Sequence, residues 1–257
     1  MTTTVYPSLR DRVVIITGGG QGLGRTYAHE FAAQGAIPVI AELNGDNGAR
    51  VVQEIEQKGG RALSIETDVA DESSTLEMAA AALSAFGRID CLINNAAVFS
   101  KITIAPFWEL PVDEWNAAMQ VNINGAFFCS RAVVPAMMER KWGRIINIAS
   151  TTVPTGRANY LHYITSKSAM IGMTRSMARE LGPYNITTHL FWPGAVETEI
   201  ERPSVSGDMF QKLADQQAIG RPATMEEYAG FLLFMCSDDA EYMTGQALAA
   251  NGGLAFT

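Results

Sequence analysis

Short apolar, β-branched runs alternate along the chain with longer stretches whose apolar residues recur at helical spacing. Val13 to Thr17 is followed by a helical pattern from Leu23 to Gln34, Ile37 to Ala41 by Asn47 to Lys58, and Ala62 to Glu66 by Ser73 to Phe86. The rhythm continues with a strand from Cys91 to Asn94, a long helical stretch from about Val112 to Arg140, a strand from Arg144 to Ala149, a helix from Asn159 to Leu181 and a strand from Thr187 to Trp192. Runs such as Val13-Val14-Ile15-Ile16 show no in–out alternation, which marks strands covered on both faces. The pattern predicts an α/β fold: a doubly wound parallel sheet with helices on both faces and ligands at the carboxyl ends of its strands. Pro193-Gly194 then opens a stretch without period that runs to about Gly207 and reads as a mobile loop over a site. Helical segments near Asp208 to Gln217 and Met225 to Ser237 and a short strand around Ala247 to Ala249 complete the chain.

Composition narrows this picture. At 257 residues, 47% of them hydrophobic and 18% charged, the chain suits a single compact domain with one continuous core. No basic stretch followed by an apolar run opens the chain, and no segment approaches 18 uninterrupted apolar residues, so neither a secretion signal nor a membrane span is expected. A formal charge of -8 opposes nucleic-acid or anionic-membrane binding, because the 19 Lys and Arg are spread thinly. Cys91, Cys129 and Cys236 have neither paired nor metal-ligand spacing, so no disulfide framework and no metal site is suggested, and a reducing cytoplasm is the expected location.

Candidate chemistry begins directly after the first strand, at Thr17-Gly18-Gly19-Gly20-Gln21-Gly22-Leu23-Gly24, where a helix opens at once. A glycine-rich turn there lets backbone approach a pyrophosphate, whose charge faces the unpaired N–H groups and positive end of the helix. The plainer account is a turn that is merely rich in glycine. Two acids favour the nucleotide: Glu42 ends the second strand eighteen positions after Gly24, and Asp68 ends the third, a spacing that suits hydrogen bonds to the adenosine ribose. Each also has a plainer role, Glu42 as a solvated strand-end acid and Asp68 as a cap or turn acid. A carboxylate at Glu42 repels a 2′-phosphate, and neither Gln21 nor Leu43 is basic, so NAD is expected over NADP. Arg25, just beyond the last glycine, is the residue that would reverse this preference by holding the extra phosphate.

Tyr163 and Lys167 are four apart in a helical pattern and project from one face. Oxidising an alcohol needs a base for the hydroxyl proton as hydride leaves carbon, and free tyrosine, with a pKa of roughly 10, is too weakly ionised at neutral pH. Lowering it by about three pH units takes roughly 4 kcal/mol. An ammonium about 4 Å away supplies roughly that at an effective dielectric near 20. A Tyr-x-x-x-Lys alone is weak evidence, but Ser150 stands at the carboxyl end of a strand thirteen residues earlier, where its hydroxyl is positioned to hold a substrate oxygen.

Taken together, these residues resemble the classical short-chain dehydrogenases/reductases along nearly the whole chain. Thr17 to Gly24 is similar to that family's cofactor loop, Asn94-Asn95-Ala96-Ala97 to its segment after the fourth strand, and Val121-Asn122-Ile123-Asn124-Gly125 to the segment that carries a structural and proton-relay asparagine. Ser150, Tyr163 and Lys167 match its Ser and Tyr-x-x-x-Lys; Pro193-Gly194 with Thr198 matches the loop that meets the nicotinamide carboxamide; Thr244-Gly245-Gln246 and Asn251-Gly252-Gly253 match its C-terminal signatures. Ala97 replaces the family's usual Gly and Asn251 its usual Asp.

The resemblance implies a single Rossmann-type domain over 1–257 with a sheet of about seven strands, a cofactor half at about 10–145, a catalytic half at about 146–257 and a substrate loop at about 194–210. It implies Tyr163 as acid/base, Lys167 as the group that lowers its pKa and holds the nicotinamide ribose, Ser150 as the substrate anchor, and Asn122, rather than the neighbouring Asn124, at a helix distortion with a relay water. It places the dinucleotide against Gly18, Gln21, Gly22, Leu23, Gly24, Glu42, Leu43, Asp68, Val69, Asn95, Ala96, Ala97, Tyr163, Lys167, Pro193, Gly194, Val196 and Thr198. Homotetramer formation through the helices around 112–140 and 159–181 is also implied. Phe99, Ser150, Thr152, Arg157 and Tyr163 are the candidate substrate contacts. The stretches around Ser150 and Tyr163 resemble bacterial dehydrogenases of aryl secondary alcohols such as 1-phenylethanol, so the expected substrate is a small aromatic or alicyclic alcohol. An NADP-linked carbonyl reductase, including the 3-oxoacyl type, and a nucleotide-binding regulator without catalysis are the alternatives. His162, about 100° around the helix from Tyr163, reads as a packing residue.

Overall fold

A computed structural model describes residues 4–99, 102–200 and 209–256. Seven parallel strands, β1 (Val13–Thr17), β2 (Ile37–Glu42), β3 (Leu63–Glu66), β4 (Cys91–Asn94), β5 (Gly143–Ile148), β6 (Ile186–Pro193) and β7 (Ala247–Ala250), form one sheet in the order β3-β2-β1-β4-β5-β6-β7. Strand order reverses between β1 and β4, which opens a crevice beyond their carboxyl ends. Pro38 lies before the β2–β3 pairing, which starts at Val39 against Leu63, so its missing N–H falls outside that ladder.

The apolar runs are continuous because both faces are covered. Val14 and Ile16 point into a cluster with Tyr27 and Phe31 of α1 (Gly22–Ala33), Val51 and Ile55 of α2 (Gly45–Gln57) and, from a later helix at Met225–Cys236, Leu232 and Met235. Val13 and Ile15 point the other way, onto Met78 and Ala82 of α3 (Glu72–Phe86) and a helix at Gly125–Arg140 that contributes Cys129, Val133 and Met137. The two edge strands, β3 and β7, are only partly buried. The three cysteines are buried free thiols. No described helix is long and apolar enough to cross a membrane.

Several boundaries differ from the sequence pattern. The stretch from Val112 to Arg140 is not one regular helix: α4 (Val112–Met119) runs into a π-helical turn at Gln120–Asn124 before α5 (Gly125–Arg140). Periodicity misses this because a π-turn inserts one residue without interrupting the helical course. The turn after Ser150 contains a four-residue helix, α6 (Thr152–Thr155). The next helix, α7 (Leu161–Leu181), starts two residues later than its apolar pattern because Asn159 is left-handed at φ 66°. α8 (Met209–Ala214) is shorter than expected, and α9 (Met225–Cys236) carries a Thr224–Glu227 capping box. Of the loop expected at 194–210, residues 201–208 lie outside the described residues.

At the opposite end of the sheet, Asp90 anchors the entry to β1. Its carboxylate is 1% exposed, accepts the Val13 N–H at 2.8 Å, and receives Arg88 at 2.6 and 2.5 Å and Arg12 at 3.2 Å. Asp90→Ala strands a buried N–H and crowds two cations, and its expected cost is on the order of 3 kcal/mol, read as a lower urea midpoint with unchanged slope.

Candidate active site

The glycine turn is held from both sides of the crevice. Gly18 and Gly22 adopt φ of 62° and 55°, and a Cβ on Gly24 would stand 2.2 Å from the Gly18 carbonyl oxygen. That clash explains why the helix can start so close to the strand only with glycine. From β4, the Asn95 side-chain amide donates to the carbonyls of Thr17 (2.9 Å) and Gly18 (3.1 Å). In return the Thr17 hydroxyl accepts the N–H groups of Asn95 and Ala96, both at 3.0 Å.

The two acids at the strand ends both reach the crevice, and both also have local partners. Glu42, 7% exposed, accepts the N–H of Gly20 at 3.0 Å and of Asn44 at 3.2 Å, so it is a fixed wall rather than a solvated acid. Asp68 accepts the Ala70 N–H at 2.8 Å, while the cap of α3 is Asp71. Arg25 turns away from the crevice: its Nε donates to Glu54 of α2 at 2.8 Å, and this bond raises its pKa. Arg50, which sequence reasoning passed over, donates to the Gly20 carbonyl at 3.0 Å from outside the crevice.

A second missed residue is Glu199. Its carboxylate accepts the Gly22 N–H at 2.9 Å, and Ile200 packs against Gly22. A carboxylate thus occupies the helix N-terminus, the place that suits a phosphate by charge and by its free donors. Glu199 lay in an aperiodic segment and carried no pattern that would have identified it.

On the other bank, Tyr163 and Lys167 project from α7. Tyr163 is 7% exposed and stacks on Phe99 with ring centres 4.6 Å apart. Lys167 is 2% exposed; its ammonium donates to the Ile148 carbonyl at 2.7 Å and lies 5.9 Å from the Tyr163 ring centre. The ammonium thus stands beside the phenol ring, where its charge favours the phenolate. Burial pushes the Lys167 pKa down to about 8. The Ser150 hydroxyl accepts from the Thr152 hydroxyl (2.9 Å) and N–H (3.2 Å), which fixes it at the head of α6. Asn122 sits inside the π-turn, 1% exposed, accepting the Val98 N–H at 2.8 Å and donating to Ser166 of α7 at 2.9 Å. Asn124 instead caps its own turn through Gln120. A buried relay of amides, Asn94 to Asn147 (2.9 Å) to Thr174 (2.9 Å), ties β4, β5 and α7 beneath these groups.

These residues share one cleft of about 470 Å³. Every residue assigned from the sequence to catalysis, cofactor or substrate lines it except Gly22, covered by Ile200, and Asn122, buried behind Val98. Thr151, Thr155, Tyr160, Met209, Leu213 and Leu254 extend the wall beyond Ser150. His162, as expected, packs: it is 1% exposed and burial lowers its pKa. Phe191 and Trp192 are buried in the core. Asn251 is also buried, bonding Ala255 and Gly253. A dinucleotide fits this arrangement. Gly18 and Gly24 present bare backbone to the cleft, and the cleft runs unbroken from Glu42 to Lys167.

Comparison with known proteins agrees with this geometry. The family described as enoyl-(acyl carrier protein) reductase matches residues 18–255. A 3-oxoacyl-[acyl-carrier-protein] reductase (FabG) of Aquifex aeolicus is 32% identical over 96% of this chain and 98% of its own length. An L-rhamnose 1-dehydrogenase (NAD(P)(+)) of Azotobacter vinelandii is 34% identical over 96% and 97%. A solved 7α-hydroxysteroid dehydrogenase complexed with NADH and 7-oxo glycochenodeoxycholic acid superposes with a TM-score of 0.89 at 32% identity, covering 96% of each chain. The chain belongs to the classical short-chain dehydrogenase/reductase family. It is an oxidoreductase that works between CH–OH and keto groups with a nicotinamide cofactor.

Two measurements follow from the geometry. Removing the Glu199 charge frees the helix N-terminus, so Glu199→Gln is expected to tighten dinucleotide binding several-fold in a fluorescence titration; unchanged or weaker binding contradicts the competition. Lys167 loses its proton near pH 8 when folded and near ~10.4 when unfolded. Between those values the unfolded chain binds more protons, so this residue's contribution to stability rises with pH and is at its full penalty below pH 8. The stability of wild type relative to Lys167→Met should therefore climb by about 3 kcal/mol from pH 8 to pH 10.5, measured by chemical denaturation.

Proposed function

We propose that the protein is an NAD-dependent dehydrogenase of secondary alcohols, acting on a small aromatic or alicyclic alcohol and the corresponding ketone. The observation that carries this reading is the convergence of Ser150, Tyr163 and Lys167 on the cleft whose far end is the Glu42-walled glycine turn. Nicotinamide, when bound, supplies the hydride acceptor and a positive charge near the phenol. The protein's own groups do the rest. Ser150, oriented by Thr152, holds the substrate oxygen; Tyr163 takes the hydroxyl proton in oxidation and returns it in reduction; Lys167 stabilises the phenolate and reaches toward the ribose. Asn122, fixed at the π-turn by Val98 and Ser166, positions a relay toward Lys167. Phe99 covers the phenol and limits its contact with water.

Preference for NAD is supported by the buried Glu42 carboxylate and by the engagement of Arg25 with Glu54. The aromatic or alicyclic substrate class is supported by the wall of Val98, Phe99, Tyr160, Met209 and Leu213. An alicyclic 7-oxo compound also occupies the complex of the 7α-hydroxysteroid dehydrogenase named above. A cytoplasmic homotetramer completes the reading.

The experiment is nicotinamide absorbance at ~340 nm with wild type and Tyr163→Phe on a panel of secondary alcohols with NAD and NADP. Turnover with NAD at least tenfold above NADP is expected, together with a loss in kcat of about 10³-fold in the variant and unchanged NADH binding. Faster turnover with NADP overturns the Glu42 argument, and activity retained by Tyr163→Phe overturns the base.

A further inference from the structure

Arg157 stands out on the substrate side of the cleft. The last turn of α6 ends at Gly156, left-handed at φ 61°, and Asn159, at φ 66°, turns the chain again into α7. Arg157 is therefore held between two tight reversals rather than on a slack loop. Its guanidinium lies over the Tyr160 ring, 4.2 Å from its centre, and among the described residues its Nη2 meets only the Met209 sulfur, at 3.9 Å. A thioether is a weak acceptor, and a guanidinium has five N–H donors in a fixed fork. Seven arginines, Arg12, Arg25, Arg50, Arg61, Arg88, Arg131 and Arg221, pair with carboxylates; among the described residues Arg157 pairs with none, and of the described arginines without such a pair it is the one that lines the cleft. The charged groups lining the cleft are Glu42 and Asp68 at the nucleotide end and Lys167 and Arg157. Lys167 lies against the phenol and donates to the Ile148 carbonyl, which leaves Arg157 as the cation of the substrate wall, with no carboxylate beside it among the described residues.

We infer that Arg157 is a specificity-determining residue that binds a carboxylate carried by the substrate, so that the natural alcohol is a hydroxy acid whose acid group is separated from the carbinol carbon. The inference rests on the cleft reading above and refines its substrate class. Tyr160, over which the guanidinium lies, and Tyr163 both line the cleft at the head of α7, so an anion on the guanidinium lies apart from the acid/base in the same cleft. A six-membered ring with the hydroxyl and the carboxylate on opposite sides is a substrate of this kind. The carboxylate is a spectator: it takes no part in hydride or proton transfer and fixes which carbinol carbon faces Tyr163. Stacking on Tyr160 holds the planar fork for two parallel N–H···O bonds, which an ammonium does not reproduce.

The test is a binding comparison on the NADH-saturated protein by titration calorimetry, with cyclohexanecarboxylate and cyclohexanecarboxamide as a charged and a neutral probe of the same shape. Wild type is expected to bind the carboxylate at least tenfold more tightly than the amide. Arg157→Leu is expected to bring the two within twofold, and Arg157→Lys to fall between. Equal affinities in wild type, no binding of either probe, or a preference that survives Arg157→Leu overturns the inference; the wild-type comparison decides it even if the variant fails to fold. NADH affinity and Tyr163-dependent turnover of neutral alcohols report separately on the cleft reading, so failure of either is distinguishable from failure of the arginine.

Discussion

The clamp between the ends of β1 and β4 is the constraint on which the rest of the site depends. Thr17-Gly18 and Asn95-Ala96 share four hydrogen bonds across the switch point of the sheet, at 2.9 to 3.1 Å, two of them between Thr17 and Asn95 themselves. Those bonds hold the first turn of the glycine loop against β4, and only then does the Gly24 backbone come close enough to the Gly18 carbonyl that no side chain is tolerated. The strands themselves are buried and apolar, so any polar group at their ends must find a partner or face the crevice. The sheet therefore does two things with one set of contacts: it satisfies its own frayed ends and it leaves an open slot at the head of α1.

A second chain of contacts brings the chemistry to that slot. Asn94, Asn147 and Thr174 link β4, β5 and α7 in the interior, and Lys167 reaches from α7 to the Ile148 carbonyl at the end of β5. The ammonium is deeply buried, and burial alone lowers its pKa to about 8. Holding a charge there is unfavourable for stability, and in the proposed mechanism the same low polarity strengthens its attraction for a phenolate. Stability is given up at the position where the proposed mechanism needs a cation, which is a familiar trade at functional sites.

Much of this was legible because it lies in short, rigid spacings. Six buried residues in a row at β2 specify a central strand; glycine where a Cβ has no room specifies a close turn; Tyr163 and Lys167 at i and i+4 specify a shared face. The π-turn around Asn122 was not visible in the periodicity, because one inserted residue leaves it intact; the family resemblance, which put a helix distortion at that asparagine, is what located it. Glu199 was invisible for a different reason. Its partner is Gly22, 177 positions away, and nothing local to an aperiodic loop records a contact of that range. The commitment of Arg25 to Glu54 is of the same kind: the sequence places a cation near the glycine turn, and only the packing of α1 on α2 decides which way it points.

These charges together set a direction along the cleft. At the nucleotide end Glu42 and Asp68 present carboxylates, with Arg25 withdrawn; in the middle Glu199 presents a third to the helix N-terminus; beyond Ser150 the charged group is Arg157. A dinucleotide entering with its ribose hydroxyls toward Glu42 finds acceptors, whereas its phosphates are repelled there and favoured at the head of α1, once Glu199 gives way. Its nicotinamide end is thereby left to face Tyr163 and Lys167. A substrate that carries a negative charge is turned by the same field, away from the nucleotide end and toward the guanidinium over Tyr160. The overall charge of -8 disfavours the approach of any anion to this protein, so recognition of one depends on a cation whose charge is not already neutralised, and on the substrate side Arg157 meets that condition among the described residues.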